Sequence, residues 1–159
     1  MEVNDLMVGD WMQFANGVQK VMVVGIKMDA RYREKDPIIT VENNRYRWID
    51  KSLDELKPVL LTAEILESNG FIKDKDEETG TTYHLLVPTG HERNSFTIQV
   101  SIYKKPICGV NKLVKCWGWI PPQNGGVNDI HLCSADYVHQ LQHAMRLCGI
   151  NKKIIIKEN

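Results

Sequence analysis

The sequence predicts an α+β chain, with an N-terminal SH3-like small β-barrel over residues 1–61 followed over residues 62–159 by an antiparallel β-meander closed by a C-terminal helix. Three observations predict it. Asn16-Gly17 sits between two apolar runs, the dipeptide that most readily supplies a tight hairpin turn. In Ser95–Tyr103, Phe96, Ile98, Val100 and Ile102 alternate with Thr97, Gln99 and Ser101, the period of a strand with one wet face. Val138, Leu141, Ala144, Met145 and Cys148 recur at helical spacing and gather into one apolar stripe.

Each element has a local reason. Asp10–Phe14 and Val18–Ile26 form the first hairpin, with a type I′ turn at Asn16-Gly17. A charged connector, Lys27–Asp36, leads past Pro37 to Ile38–Val41 and then to the aromatic strand Arg45–Ile49. Ser52-Leu-Asp-Glu55 reads as a capping box good for one helical turn before Pro58, and Val59–Leu61 closes the sheet. Thr62 caps a short helix through Ser68 that Asn69-Gly70 stops, which marks the domain boundary. Strands follow at Phe71–Lys73, Thr81–Val87, Ser95–Tyr103, Lys112–Ile120 and Ile130–Cys133, separated by the acidic turn Asp74–Gly80 and by loops at Pro88–Asn94, Lys104–Asn111 and Pro121–Asn128. Ser134 or Asp136 can cap the final helix over 135–148, Gly149 ends it, and Lys152–Lys157 is expected to return as an edge strand.

Composition narrows the function classes. The chain of 159 residues is 43% apolar and 25% charged, an ordinary globular composition. Twenty basic residues balance twenty acidic ones, so no broad positive field draws nucleic acid, and the small net charge permits self-association into a homo-oligomer. Met1–Asp5 lacks the basic segment and apolar run of a signal peptide, no stretch approaches a membrane span, and the expected location is cytoplasmic. Cys108, Cys116, Cys133 and Cys148 form no C-x-x-C pair and read as free thiols, with Cys148 in the core.

The segment Tyr137-Val-His139-Gln140-Leu-Gln-His143-Ala-Met-Arg146 comes close to the zinc-protease helix H-E-x-x-H, with Gln140 in place of the glutamate. An amide cannot take a proton from metal-bound water, so this position supplies no general base. His139 and His143 also fall opposite the apolar stripe, toward water or a partner. A metal would need a third ligand, for which His131 and Cys133 are the nearest candidates, though their spacing matches no zinc signature. The expectation is therefore no metal, no cofactor and no catalytic residue, with a metal-dependent enzyme on His139 and His143 as the lesser alternative. Gly125-Gly126 is followed by neither Lys-Ser/Thr nor a helix, so no phosphate loop is formed, and Ser134 with Asp136 is explained by capping.

Arg31-Tyr32-Arg33 and Arg45-Tyr46-Arg47-Trp48 interleave cations with aromatics, the combination that holds single-stranded nucleic acid by phosphate contact and stacking. Strand alternation sends Arg45 and Arg47 to one side and Tyr46 and Trp48 to the other, which favours a core role for the aromatics. Trp117 and Trp119, with Tyr103, are expected in the core for the same reason of large burial.

Leu61-Thr-Ala-Glu-Ile-Leu-Glu-Ser-Asn-Gly-Phe71, Tyr137-Val-His-Gln-Leu-Gln142 with Leu147-Cys-Gly149, and Asp5-Leu-Met-Val-Gly-Asp-Trp-Met12 resemble the hallmarks of a family of small proteins from gut anaerobes, their prophages and phages. Residues from about 72 to 130 match nothing specific in it. That family has no assigned activity, so the resemblance implies the architecture and a prophage context, and it implies that the Tyr-Val-His-x-Leu-Gln helix is a signature of the family.

The expectation is a non-catalytic binding or accessory module with a protein partner. Its candidate contact face is His139, Gln140, His143 and Arg146, a polar cluster at one-turn spacing. The alternative is a nucleic-acid-binding accessory protein using Arg31, Tyr32, Arg33, Arg45 and Arg47.

Overall fold

Short runs rich in Val, Ile and Tyr, each bounded by turn residues, make strands the economical way to bury apolar side chains here. The computed structural model describes residues 5–17, 19–27, 37–43, 49–88, 95–118 and 128–156. These residues form an α+β protein with ten strands, a 3-10 turn at Leu53–Glu55 and two helices. They divide into two compact units, residues 1–60 with 137–139 and 156–159, and residues 61–136 with 140–155.

The first unit holds β1 (Trp11–Phe14), β2 (Lys20–Lys27), β3 (Ile38–Glu42), β4 (Ile49–Lys51) and β5 (Leu56–Pro58). They form an antiparallel sheet in the order β4-β3-β2-β1-β5. Met12, Val21, Val23, Ile39, Val41 and Leu56 are buried together with Leu6, each full burial worth roughly 1.5–3 kcal/mol. No closed barrel is found among the described residues. The closing strand lies at Leu56–Pro58, earlier than Val59–Leu61, because Pro58 tolerates the sheet edge, where it pairs with Met12. The first hairpin also differs from expectation. Gly17 alone of the described turn residues has a positive φ, +77°, so the link is not the type I′ turn. It is a longer loop closed by Gly17 N–H to Phe14 O at 2.7 Å and Phe14 N–H to Gln19 O at 3.0 Å. The 3-10 turn Leu53–Glu55 is held as the capping pattern suggests, with Ser52 N–H donating to Glu55 Oε2 at 3.0 Å and Lys51 Nζ to Oε1 at 2.7 Å. These bonds hold the Glu55 carboxyl at a pKa of about 2.

In the second unit β6 (Ile72–Asp76), β7 (Gly80–Pro88), β8 (Ser95–Ile107), β9 (Val110–Gly118) and β10 (Asn128–Ser134) form an antiparallel sheet in which each strand pairs with the next. Tyr83, Leu85, Ile98, Val100, Val114 and Cys116 are buried. β8 and β9 run further than expected, through the supposed loop Lys104–Asn111, because Cys108-Gly109, both at positive φ, turn the chain in two residues. Gly80 is required for a different reason: a Cβ there would collide with the backbone carbonyl of Ile102.

The helix α1 (Ala63–Ser68) begins where Thr62 accepts from Ile65 N–H, and α2 (Val138–Leu147) buries Val138, Leu141, Ala144 and Met145 as its stripe predicts. Cys148 is half-buried instead of core. It follows the helix, at a terminus closed by Gly149 N–H to Arg146 O and Ile150 N–H to Met145 O. Residues 152–156 do not form the expected edge strand. Their partner is a side chain: Ile155 N–H donates to Asn69 Oδ1 at 2.7 Å, and Asn69 Nδ2 donates to Ile155 O and to Ile65 O, both at 2.8 Å.

Asn69 is buried and satisfies three backbone groups, so its truncation strands each of them. Asn69→Ala is expected to cost on the order of 2–3 kcal/mol in urea unfolding. Exposed Ser68→Ala, which removes one bond to Ile65 O, should stay within about 0.5 kcal/mol. Equal losses in the two variants would contradict this account of the tail.

Candidate functional site

In a strand successive side chains point to opposite faces, so burial of Tyr83, Ile98 and Val114 sends His84, Gln99 and Lys115 to the other side of the sheet. The register sets them in one cross-strand row, Ile72 opposite His84, His84 opposite Gln99, and Gln99 opposite Lys115. A second row brings Thr82 opposite Ser101. These polar residues are half-buried and Ser101 is only 8% exposed, because this face is concave. It encloses about 340 Å³, lined by Asp74, Thr82, His84, Gln99, Ser101 and Lys115 among others.

The pairing of β6 with β7 slips between Lys73 and Lys75, which makes Asp74 a bulge residue. Its carboxylate lies 3.6 Å from His84 Nε2, longer than a hydrogen bond. Gln99 Nε2 donates to Ser101 Oγ at 3.2 Å. The rim beyond β6 is tied by charge. Lys73 Nζ reaches Asp76 Oδ2 at 3.0 Å, Thr81 Oγ1 donates to Asp76 Oδ1 at 3.1 Å, and Lys104 Nζ donates to Glu77 O at 3.1 Å. Hydrogen bonds from Lys73 and Thr81 pull the Asp76 carboxyl below its ordinary range, and the bond to Asp76 raises Lys73. Ile72 and Leu86, 73% and 65% exposed, add apolar surface beside the polar row.

Sequence reading marked the wet face of β8 but assigned it no function. The missed signal was the set of polar residues at alternate positions on three neighbouring strands, which only the register aligns. The helix residues singled out in its place are arranged differently from expectation. His139 is 4% exposed, not turned to water. Its ring stacks on Tyr137, centroids 5.9 Å apart and planes within 11°, in the first unit, where Val138 N–H also bonds Val59 O at 2.9 Å. A helical wheel scores one stripe as buried and cannot foresee that a helix's first turn is covered on its polar side too. Gln140, His143 and Arg146 are half-buried. Among the described residues no group of three His, Cys, Asp or Glu side chains is placed to hold a metal ion. Arg31, Tyr32, Arg33, Arg45, Arg47 and the loop 121–127 lie outside the described residues. No helix among the described residues is long and apolar enough to cross a membrane.

Burial separates the two histidines experimentally. His139→Ala should lower stability by about 1 kcal/mol or more through loss of the stacked, buried ring, while His143→Ala should cost less. Equal and negligible losses in thermal unfolding would show that the first turn of α2 is exposed. Comparison of the chain with protein-family models, with curated proteins and with solved structures gives no match.

Proposed function

We propose that the protein is a non-catalytic binding module that presents the outer face of its second sheet to a polar segment of a protein partner. The row Ile72, His84, Gln99 and Lys115 carries this reading. Its groups are spaced at cross-strand intervals of roughly 5 Å, which suits an extended surface better than one reacting bond. Donors and acceptors of both charges stand side by side, with exposed Ile72 and Leu86 supplying apolar contact at the margin. The Ser101 hydroxyl accepts from Gln99, and the Asp74–His84 separation exceeds hydrogen-bond length, an arrangement that supports recognition over general-base catalysis.

Two further parts of this reading concern the first unit and the compartment. The order β4-β3-β2-β1-β5, with the 3-10 turn Leu53–Glu55 before β5, supports an SH3-like small barrel for residues 1–61. The four free cysteines support a reducing, cytoplasmic setting.

The test compares partners captured by the wild type and by a Gln99→Ala/Lys115→Glu double variant, with a labelled single-stranded oligonucleotide titrated at two salt concentrations in parallel. The double variant should fold normally and recover at least tenfold less of the partners specific to the wild type. Unchanged recovery would remove the outer face as the binding surface. Oligonucleotide binding that weakens with salt would replace the protein partner by nucleic acid.

A further inference from the structure

Asparagine followed by glycine is the pair in which a backbone nitrogen most readily attacks the preceding side-chain amide, because glycine has no Cβ to hinder the approach. The chain places that pair at Asn69-Gly70, the C-terminus of α1, and folding restrains each reacting group. Asn69 Nδ2 donates to Ile65 O and Ile155 O, both at 2.8 Å, and Oδ1 accepts from Ile155 N–H at 2.7 Å, so the amide plane is fixed. Gly70 N–H donates to Glu67 O at 3.0 Å, which retains the proton its nitrogen must lose before it can attack. Asn69 has φ −99° and ψ 12°, which turns the Gly70 nitrogen toward the residue's own nitrogen and away from its side chain. The tail also covers the glycine, since Lys152 Nζ lies 3.4 Å from where a Cβ at Gly70 would stand. Two of the three side-chain hydrogen bonds and this cover therefore come from residues 152–155, next to buried Ile154.

We propose that Asn69-Gly70 is a latent deamidation site that the docked tail, residues 152–155, keeps closed, and that reaction there releases the tail irreversibly. When the tail lifts, Asn69 keeps only its bond to Ile65 O, and α1, six residues long and too short to hold its last turn alone, frays. The Gly70 nitrogen gives its proton to solvent base and bonds to Asn69 Cγ. The bond from Cγ to the side-chain nitrogen breaks, and that nitrogen takes a proton from water and leaves as ammonia, closing a five-membered succinimide. Water then opens the ring at one of its two carbonyl carbons. Opening at Cγ restores the main chain and leaves aspartate, whereas opening at the backbone carbonyl leaves isoaspartate, with the main chain routed through the side chain. The net change is one ammonia lost and one water gained. The new carboxylate has no N–H for the carbonyls of Ile65 and Ile155 and faces their oxygens with a negative charge, so the tail's former seat is gone. Reaction requires the tail to be off, and the product keeps it off.

The experiment incubates the full-length protein at pH 8 and 37 °C, with and without denaturing urea, quenches in acid, digests with pepsin and follows deamidation at each asparagine by mass spectrometry. Asn69 should react at least tenfold more slowly in the folded protein than in urea. Ile155→Pro, which removes the N–H that Asn69 Oδ1 accepts, should bring Asn69 toward its urea rate and leave the rate at Asn16-Gly17, in the first unit, unchanged. Asn69→Asp, one of the two products, should speed tryptic cleavage after the exposed Lys152 and Lys153 at least tenfold over the wild type. If Ile155→Pro fails to fold, the wild-type comparison and the Asn69→Asp digestion decide. Equal Asn69 rates in folded and denatured wild type overturn the proposal, as does an unchanged Asn69 rate in folded Ile155→Pro, or a tail that resists trypsin as well in Asn69→Asp as in the wild type.

Discussion

Alternation along β7, β8 and β9 is the constraint from which the rest of the second unit follows. Tyr83, Leu85, Ile98, Val100, Val114 and Cys116 are buried, and a strand that commits alternate residues to a dry face has no choice about where the others go. A slip of one residue would exchange the faces, leaving His84, Gln99 and Lys115 in an apolar interior at a cost of several kcal/mol for unpaired polar groups. Packing thus specifies the register, and the register aligns the polar row. The bulges at Asp74 and before Cys133 are local departures that re-aim single side chains within that frame. One of them sets Asp74 beside His84 and the other brings Cys133 to the face of Cys116.

The segments Leu61–Phe71 and Tyr137–Gly149 do structural work. Leu61–Phe71 contains an N-capped helix whose C-cap, Asn69, supplies the tail with the backbone-like partner it lacks. Ile154 is buried next to that anchor, so a chain end with no strand neighbour still contributes to the core. In the first unit, Tyr137 bridges to Leu60 and stacks on His139. The histidine that imitates a metalloprotease motif thereby has a packing role.

Much of the fold was legible in the sequence for reasons that are local. Thr62 as a cap, the 3-10 turn after Ser52, the wet-face alternation of β8 and the stripe of α2 each depend on residues within a few positions of one another. What was not legible depends on distant partners. The burial of His139 depends on what surrounds its turn of helix, and the tail's lack of a strand depends on Asn69, 86 residues away. The candidate site is the clearest case. Its residues come from β6, β7, β8 and β9, and only pairing register makes them neighbours, so no motif in the linear chain announces them. The hairpin at Cys108-Gly109 was missed because a non-glycine residue takes the first positive φ, at 50°.

The claim that one face of the second sheet is core and the other is available for binding is tested most directly by moving a single charge across it. Ile98 and Gln99 are sequence neighbours on β8 that point to opposite faces, Ile98 fully buried and Gln99 half-buried in the concave surface. Equilibrium urea unfolding of Ile98→Lys and Gln99→Lys isolates the face from every other variable. The account predicts that Gln99→Lys stays within about 1 kcal/mol of the wild type. Ile98→Lys is predicted to lose more than about 4 kcal/mol or fail to fold, since it places an unpaired charge in the core. Comparable losses in the two variants, or a larger loss for Gln99→Lys, would contradict it.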